Sequence, residues 1–311
     1  MIIDAHAHIF PKVQGLIAAG QTSGLGYGRV RAGNEEIQVM PPLSEMTIHT
    51  PEMLVAHMQW AEVDKAVLLQ GPFYGECNQY VRDAVLAYPD RFIGFAYLDP
   101  WDPSCHENLE LIASEKSFSG VKLECSEATG LLGVHRGARL GDPQIAWLWD
   151  ELDQLGMVLV VDLGAVGSAS YQTEAMHAIA AQHPGLTIVI AHLAQPNPSV
   201  EADGGRWKAW LEQIELGLLP NVYFDTASLP AYVASEGYPF PSARRYLKTA
   251  IGKIGPDKVM WGTDIPGLLA HATYQQLLQA SRRHLDFLSD SELAMVMGEN
   301  ALRVYPRQRT S

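Results

Sequence analysis

The chain has 311 residues, of which 47% are hydrophobic and 18% are charged, and its formal net charge is −13. These values are typical of a globular protein with a substantial core, in one large domain or two small ones. The acidic balance argues against nucleic acid and anionic membranes as partners, because both attract basic patches. The sequence predicts no secretory signal or transmembrane run, and three cysteines lack metal-site spacing. We therefore expect a cytoplasmic protein with reduced thiols.

Short apolar runs recur along the chain, and each is followed by a polar turn and an amphipathic segment. Most runs are continuous rather than alternating, which is typical of parallel strands buried on both faces. The predicted strands lie near residues 2–5, 65–70, 92–98, 120–124, 157–162, 187–192, 221–225 and 258–263. The predicted helices between them cover about 51–61, 76–87, 104–116, 143–155, 171–183, 206–217, 242–254 and 272–286.

Eight strand–helix units predict an α/β fold, a single (β/α)8 TIM-barrel domain over residues 1–311. An open doubly wound sheet is the alternative, but it requires a glycine-rich loop after the first strand, where this chain has His6-Ala-His8. A last helix over 289–305 is expected to close the barrel from outside. The glycine-rich stretch 11–50 is predicted as a long loop inserted after the first strand, acting as a lid or substrate loop. A solvated or oligomer-contacting loop is the equal alternative for this stretch.

Polar residues occur at the ends of several predicted strands. His6 and His8 are two apart on the first strand, so their imidazoles point the same way, as half of a first-row metal site would require. Because catalytic groups of such barrels come from the carboxyl ends of several strands, we expect one shared site. The further candidates are Lys122, Glu124, Asp162, His192 and Asp264.

At these residues the chain resembles the amidohydrolase superfamily, and specifically its amidohydrolase-related branch. That branch includes aminocarboxymuconate-semialdehyde decarboxylase, resorcylate-type decarboxylases, and pyrone-dicarboxylate and sulfomuconolactone hydrolases. The matching pieces, which span the chain in the expected order, are Asp4-Ala-His6-Ala-His8, Gly120-Val-Lys122-Leu, Ile190-Ala-His192, Asn221-Val-Tyr-Phe-Asp225 and Trp261-Gly-Thr-Asp264. The resemblance implies the barrel fold, a small-molecule substrate and, at the level of the family, a homo-oligomer.

The resemblance also implies a metal site. His6, His8 and Asp264 would be ligands to one divalent ion, zinc as first choice and manganese as the alternative, and His192 would be a ligand or a proton-handling group. Members of the family usually end strand five with a histidine, whereas this chain has Asp162 there. Either Asp162 replaces that ligand through oxygen, or Glu124 or His192 completes the shell, or the metal has been lost.

Four residues are candidates for binding substrate. Lys122 is expected to pair with Glu124 or Asp162 or to bind a substrate carboxylate, and a carboxylated lysine bridging two metals is the alternative. Arg29 and Arg31 are expected to meet a carboxylate from the 11–50 loop. Tyr74 is a candidate for the pocket wall, with aromatic packing as the alternative.

Three functions follow from these residues. The first is a metal-dependent hydrolase of a small, carboxylated lactone, cyclic amide or aryl amide, with Asp264 as the base and His192 as the oxyanion donor. The second is a non-oxidative decarboxylase of an aromatic or muconate-like acid. The third is a barrel that binds a ligand without catalysis, which the replacement at Asp162 supports.

Overall fold

The computed structural model describes residues 1–305, and over that range the strands form two sheets. In chain order the strands are β1 (Ile3–Ala7), β2 (Leu16–Ile17), β3 (Gly20–Gly26), β4 (Arg29–Ala32), β5 (Glu35–Gln38), β6 (Lys65–Leu68), β7 (Phe92–Tyr97), β8 (Phe118–Glu124), β9 (Val158–Asp162), β10 (Ile188–Ile190), β11 (Val222–Asp225) and β12 (Val259–Met260). Strands β1 and β6–β12 pair in parallel in that order, and β2–β5 form a separate antiparallel sheet.

The parallel sheet closes into a barrel. The chain just after β12 completes the circle, since the carbonyl of Trp261 accepts from the amide of Ala5 at 2.8 Å and the carbonyl of His6 accepts from the amide of Asp264 at 2.8 Å. On β9, Val158 and Val160 pack inside the barrel and the alternate residues pack against the helices. This two-sided burial is why the strands are continuous apolar runs, and the predicted (β/α)8 barrel is confirmed.

Helices separate the strands and cover the barrel. Several begin or end at residues suited to that position: Thr50 caps the first helix by accepting from the amide of Met53, and Gly156 ends another with φ of +63°. The α-helices are α1 (Pro51–Ala61), α2 (Asn78–Ala87), α3 (Cys105–Ser114), α4 (Leu131–Val134), α5 (Ala146–Leu155), α6 (Thr173–Gln182), α7 (Pro198–Glu201), α8 (Gly204–Ile214), α9 (Leu229–Tyr232), α10 (Pro241–Ile254), α11 (Tyr274–His284), α12 (Asp290–Ala294) and α13 (Asn300–Val304). Within residues 1–305, no helix combines the length and apolarity needed to cross a membrane.

The segment predicted as a loop over 11–50 instead carries the antiparallel sheet β2–β5. Its strands are short, rich in glycine and largely exposed, so no apolar periodicity marks them in the sequence. The sheet is tied to the chain after β6, since the buried hydroxyl of Thr22 donates to the carbonyl of Phe73 at 2.7 Å. The sheet therefore packs against that part of the chain.

The C-terminal helical segment lies at the end of the barrel where the strands begin. It comprises α12, one π-helical turn (Met295–Glu299) and α13. Ala301, Val304 and Tyr305 pack beneath the inward-facing strand residues, with the rings of Phe95 and Tyr305 5.2 Å apart. The predicted helix over 289–305 is therefore present, but it covers the amino-terminal mouth of the barrel rather than its outer wall.

Candidate active site

A cavity of about 540 Å³ opens at the carboxyl ends of the barrel strands. The strand-end candidates converge here from β1, β8, β9 and the segments after β10 and β12. The cavity is lined by His8, Lys122, Glu124, Asp162, His192 and Asp264, together with Tyr74, Ser228, Tyr232 and the β6–α2 and β8–α4 loops. His6 lies directly behind this surface, with its ring centroid 5.1 Å from that of His8 and 4.6 Å from that of His192.

The two histidines of β1 are buried and held from behind. The Nδ1 atom of His6 lies 3.0 Å from Oδ2 of Asp225, and Nδ1 of His8 lies 2.7 Å from the carbonyl oxygen of Leu69. Both rings carry a proton on Nδ1 and turn Nε2 toward the cavity. The Nε2 atom of His6 faces the ammonium of Lys122 and presents its lone pair, whereas Nε2 of His8 faces the carboxylate of Asp264 and donates to it. Burial lowers the pKa of both rings, although the Asp264 carboxylate opposes this at His8.

Asp264 supplies a carboxylate next to these two nitrogens. Its Oδ1 lies 2.8 Å from Nε2 of His8 and 3.9 Å from Nε2 of His6, and its Oδ2 accepts from the hydroxyl of Ser228. Burial opposes ionisation, but the hydrogen bond from His8 and the charge of His192 outweigh it and hold the pKa of Asp264 well below its usual range. Asp264 is therefore a carboxylate at neutral pH.

His192 is the positively charged histidine of the cavity. It follows β10 rather than ending it, in a turn where residues 192–195 all have positive φ. Its Nε2 lies 3.2 Å from Oδ2 of Asp162. Burial opposes protonation, but the carboxylates of Asp162, Asp264 and Asp225 prevail and raise the pKa of His192 to about 10.

A second carboxyl group faces the cavity in its neutral form. Burial and the neighbouring charge of Asp162 raise the pKa of Glu124 to about 8, although the Lys122 ammonium opposes this. The Nζ atom of Lys122 lies 3.8 Å from Oε2 of Glu124, one of the alternatives that the sequence left open, and 3.0 Å from Nε2 of His6. Of the two neighbouring carboxyl groups, Asp162 is the ionised one, because His192 and Lys122 lower its pKa despite burial.

The remaining predicted substrate residues have different outcomes. The Tyr74 ring lines the cavity and lies 5.1 Å from the ring of His8, while also stacking on Phe10. Arg29 and Arg31 do not line it: both are exposed on β4, and Arg31 pairs with Glu36 at 2.6 Å. The two arginines predicted to meet a substrate carboxylate are therefore not among the residues that line this cavity in the structure, and the segment that carries them is a sheet rather than a loop.

The sequence analysis assigned no role to several residues that the structure places at the site. Asp225 holds His6 from behind, Ser228 bonds to Asp264, Gln195 donates to Asp162 at 3.0 Å, and Tyr232 lines the wall. Asp225 had a detectable signal, as a carboxylate at the end of a predicted buried strand. Ser228 and Gln195 are in turns and Tyr232 ends the four-residue helix α9, and such short segments have no periodicity by which a sequence could place them.

One group of donors fits a divalent metal ion. Nε2 of His6, Nε2 of His8 and a carboxylate oxygen of Asp264 lie within 4.8 Å of one another, and the Nδ1 atoms are committed to acceptors, as in protein metal sites. Binding would require Lys122 to give up its contact with His6 Nε2. The group of Glu124, Asp162 and His192 has the same compactness, but its charges are already paired internally.

Comparison with solved structures gives relatives of the same fold. An amidohydrolase from Burkholderia multivorans with bound HEPES is 19% identical, with 98% of this chain and 99% of that chain covered and a TM-score of 0.74. A second structure of a Burkholderia multivorans amidohydrolase, with bound zinc, has a TM-score of 0.72. A probable 2-pyrone-4,6-dicarboxylic acid hydrolase from Acinetobacter baumannii, with citric acid bound, is 17% identical over 98% of both chains, with a TM-score of 0.67.

A decarboxylase shares the fold at lower coverage. The 5-carboxyvanillate decarboxylase of Sphingomonas paucimobilis is 19% identical over 81% of both chains, with a TM-score of 0.55.

No curated protein sequence matches this chain. The sequence model of the amidohydrolase family matches residues 3–307, nearly the whole chain. The chain therefore belongs to the amidohydrolase family and is an enzyme of this superfamily.

Proposed function

We propose that this enzyme hydrolyses a small cyclic ester or amide that carries a carboxylate. The observation that carries the proposal is the pairing, in one cavity, of an ionised Asp264 with a protonated His192. Acyl hydrolysis needs a base for the water and a positive group for the developing oxyanion, and this cavity presents both. Because family membership makes the chain an enzyme, it is not a barrel that binds a ligand without catalysis.

Asp264 is the proposed base. Its Oδ2 is fixed by the hydroxyl of Ser228, and its Oδ1 lies beside the Nε2 atom of His8, so the carboxylate is oriented before substrate arrives. In the proposed reaction it takes a proton from water as the water oxygen bonds to the acyl carbon. It then passes the proton to the leaving oxygen or nitrogen as the ring bond breaks.

His192 stabilises the negative charge that forms on the acyl oxygen. Its imidazolium is buried beside Asp162 and needs no reorganisation during the reaction, which makes such a charge effective. Lys122 is the proposed partner of a substrate carboxylate. Among the residues that the structure describes, no arginine lines the cavity, so Lys122 and His192 supply its positive charge.

A metal ion is part of this proposal, with zinc as first choice and manganese as the alternative. His6, His8 and Asp264 would hold it. When bound, such an ion lowers the pKa of coordinated water toward about 7 and polarises a carbonyl. A zinc-bound structure of the related Burkholderia amidohydrolase supports zinc, and the hydrolase assignment of the Acinetobacter relative supports a carboxylated lactone.

Glu124 supports a second candidate, non-oxidative decarboxylation. A carboxyl group with a pKa of about 8 is protonated at neutral pH and could deliver that proton to a ring carbon as carbon dioxide departs. The Sphingomonas decarboxylase shares the fold. The second candidate therefore differs from the first in which carboxyl group acts and in the release of gas.

A panel of lactones, cyclic amides and aromatic acids tests the proposal, with acid release and carbon dioxide measured in parallel. We expect acid release from a lactone or amide without carbon dioxide, and loss of turnover in Asp264→Asn. The matched control is Asp99→Asn, which removes a carboxylate bonded to His135 outside the cavity. Carbon dioxide release from an aromatic acid would instead support the decarboxylase.

A further inference from the structure

A buried carboxylate lies behind the site and contacts two of its histidines. Asp225 ends β11 and has no exposed surface. Its Oδ2 accepts from His6 Nδ1 at 3.0 Å, and its Oδ1 accepts from the backbone amides of His192 at 2.9 Å and Ala227 at 3.0 Å. A single side chain therefore fixes both a ring on β1 and the turn after β10.

The neighbours of the His6 ring determine which nitrogen carries its proton. Asp225 can only accept at Nδ1, and the Lys122 ammonium, 3.0 Å from Nε2, can only donate. Both contacts require the proton on Nδ1. The lone pair of Nε2 is consequently presented to the cavity side, where the proposed metal or substrate would meet it.

The second contact of Asp225 stabilises an unfavourable backbone. All four residues from 192 to 195 have positive φ, with +61° at His192, +58° at Gln195 and lower values at the two residues between them. Such angles disfavour L-residues, so the turn must be held by surrounding contacts. Asp225 Oδ1 holds its first amide, and the indole of Trp210 donates to the carbonyl of Leu193 at 2.9 Å. This turn places the His192 ring against that of His6.

We propose that Asp225 is a positioning residue of this active site, which fixes the tautomer of His6 and the orientation of His192. The inference rests on the proposed function in assigning those histidines to the reaction. The tautomer itself is a property of the resting protein and is measurable without any substrate. The positioning role of Asp225 and the proposed function can therefore fail separately.

Asp225→Asn is the informative substitution, because it keeps the shape of the side chain. The amides of His192 and Ala227 both donate and thus require the asparagine oxygen on their side, which turns the asparagine NH2 toward His6 Nδ1. Nδ1 must then accept, and the His6 proton moves to Nε2, where it opposes Lys122. We expect nitrogen-15 NMR to show His6 protonated on Nδ1 in the wild type and on Nε2 in the variant.

We expect kcat of Asp225→Asn to fall about 10- to 100-fold, the usual effect of losing a residue that orients a ligating or reacting histidine, with KM little changed. The control is Asn221→Ala, just before β11, which removes buried hydrogen bonds to the carbonyls of Ala180, His183 and Leu186. This control should lower Tm but leave the His6 spectrum and kcat unaltered.

Three results overturn the proposal: a wild-type spectrum with the His6 proton on Nε2, an Asp225→Asn spectrum identical to wild type, or equal losses of kcat in Asp225→Asn and Asn221→Ala. The first of these results is measured on the wild type, so it does not depend on whether any variant folds. If the tautomer changes as expected while no compound of the panel is hydrolysed, the positioning role of Asp225 stands for His6 and the proposed function fails.

Discussion

Removing the charge of Asp162 should return His192 to an ordinary histidine. Nε2 of His192 and Oδ2 of Asp162 are 3.2 Å apart and both residues are buried. At an effective dielectric constant of about 20, a charge pair at this separation is worth about 5 kcal/mol. The net elevation of the His192 pKa from 6.5 to about 10, reached against burial and with the added charges of Asp264 and Asp225, corresponds to about 5 kcal/mol. Asp162→Asn should therefore lower that pKa to about 6.5 or below.

The same substitution should change how stability depends on pH. A histidine whose pKa is higher in the folded than in the unfolded protein adds to the free energy of unfolding. For His192 this contribution is complete below the unfolded pKa of 6.5 and is lost as the pH rises to the folded pKa of about 10. Wild type should lose stability across that interval by an amount of order 5 kcal/mol, and Asp162→Asn should lose far less. Proton NMR titration of His192, assigned by its absence in His192→Gln, and urea unfolding at several pH values measure both effects.

A control separates this pair from histidine–carboxylate pairs in general. Asp99→Asn removes the partner of His135, where Nε2 and Oδ2 are 2.7 Å apart outside the cavity. That variant should leave the titration of His192 unchanged. If His192 still titrates near 10 in Asp162→Asn, the charge of Asp162 is not what protonates it, and the electrostatic account of the site is wrong.

Three further predictions follow from the cavity and the core. The pH–rate profile of kcat/KM for hydrolysis should stay level until His192 loses its proton near 10, whereas decarboxylation through Glu124 should decline above about 8. Lys122→Met should raise zinc affinity at least about tenfold, because it frees Nε2 of His6 and removes a positive charge that repels the metal ion. Competition with a chelator measures this affinity, and an unchanged value would contradict the prediction. Tyr305→Phe should raise the free energy of unfolding by about 1 kcal/mol, because the buried hydroxyl has no hydrogen-bond partner among residues 1–305; a destabilised variant would contradict this.

The barrel was predictable from the sequence because its strands follow a simple physical rule. Strand β9 is buried on both faces, and its sequence is accordingly a continuous apolar run up to Asp162. The polar residue that ends such a run must find partners, which is why strand ends located most of the site. The structure brings the seven residues predicted on this basis together at one cavity: His6, His8, Lys122, Glu124, Asp162, His192 and Asp264.

The parts that the sequence did not predict depend on contacts between distant segments. His192 was expected to end a strand, but β10 stops at Ile190 and a left-handed turn follows, held by Asp225 and Trp210. The sheet β2–β5 consists of short exposed strands whose pairing leaves no periodic pattern. For the same reason the sequence did not reveal that Arg29 is exposed on β4 and is not among the residues lining the cavity.

Hydrolysis by the Asp264 carboxylate is tested most directly by comparing wild type and Asp264→Asn on the lactone and amide panel, with acid and carbon dioxide followed together. We predict that wild type releases acid without carbon dioxide from at least one compound, and that Asp264→Asn remains folded by circular dichroism but releases none. Full activity in Asp264→Asn, or carbon dioxide as the product of wild type, would contradict the proposed function.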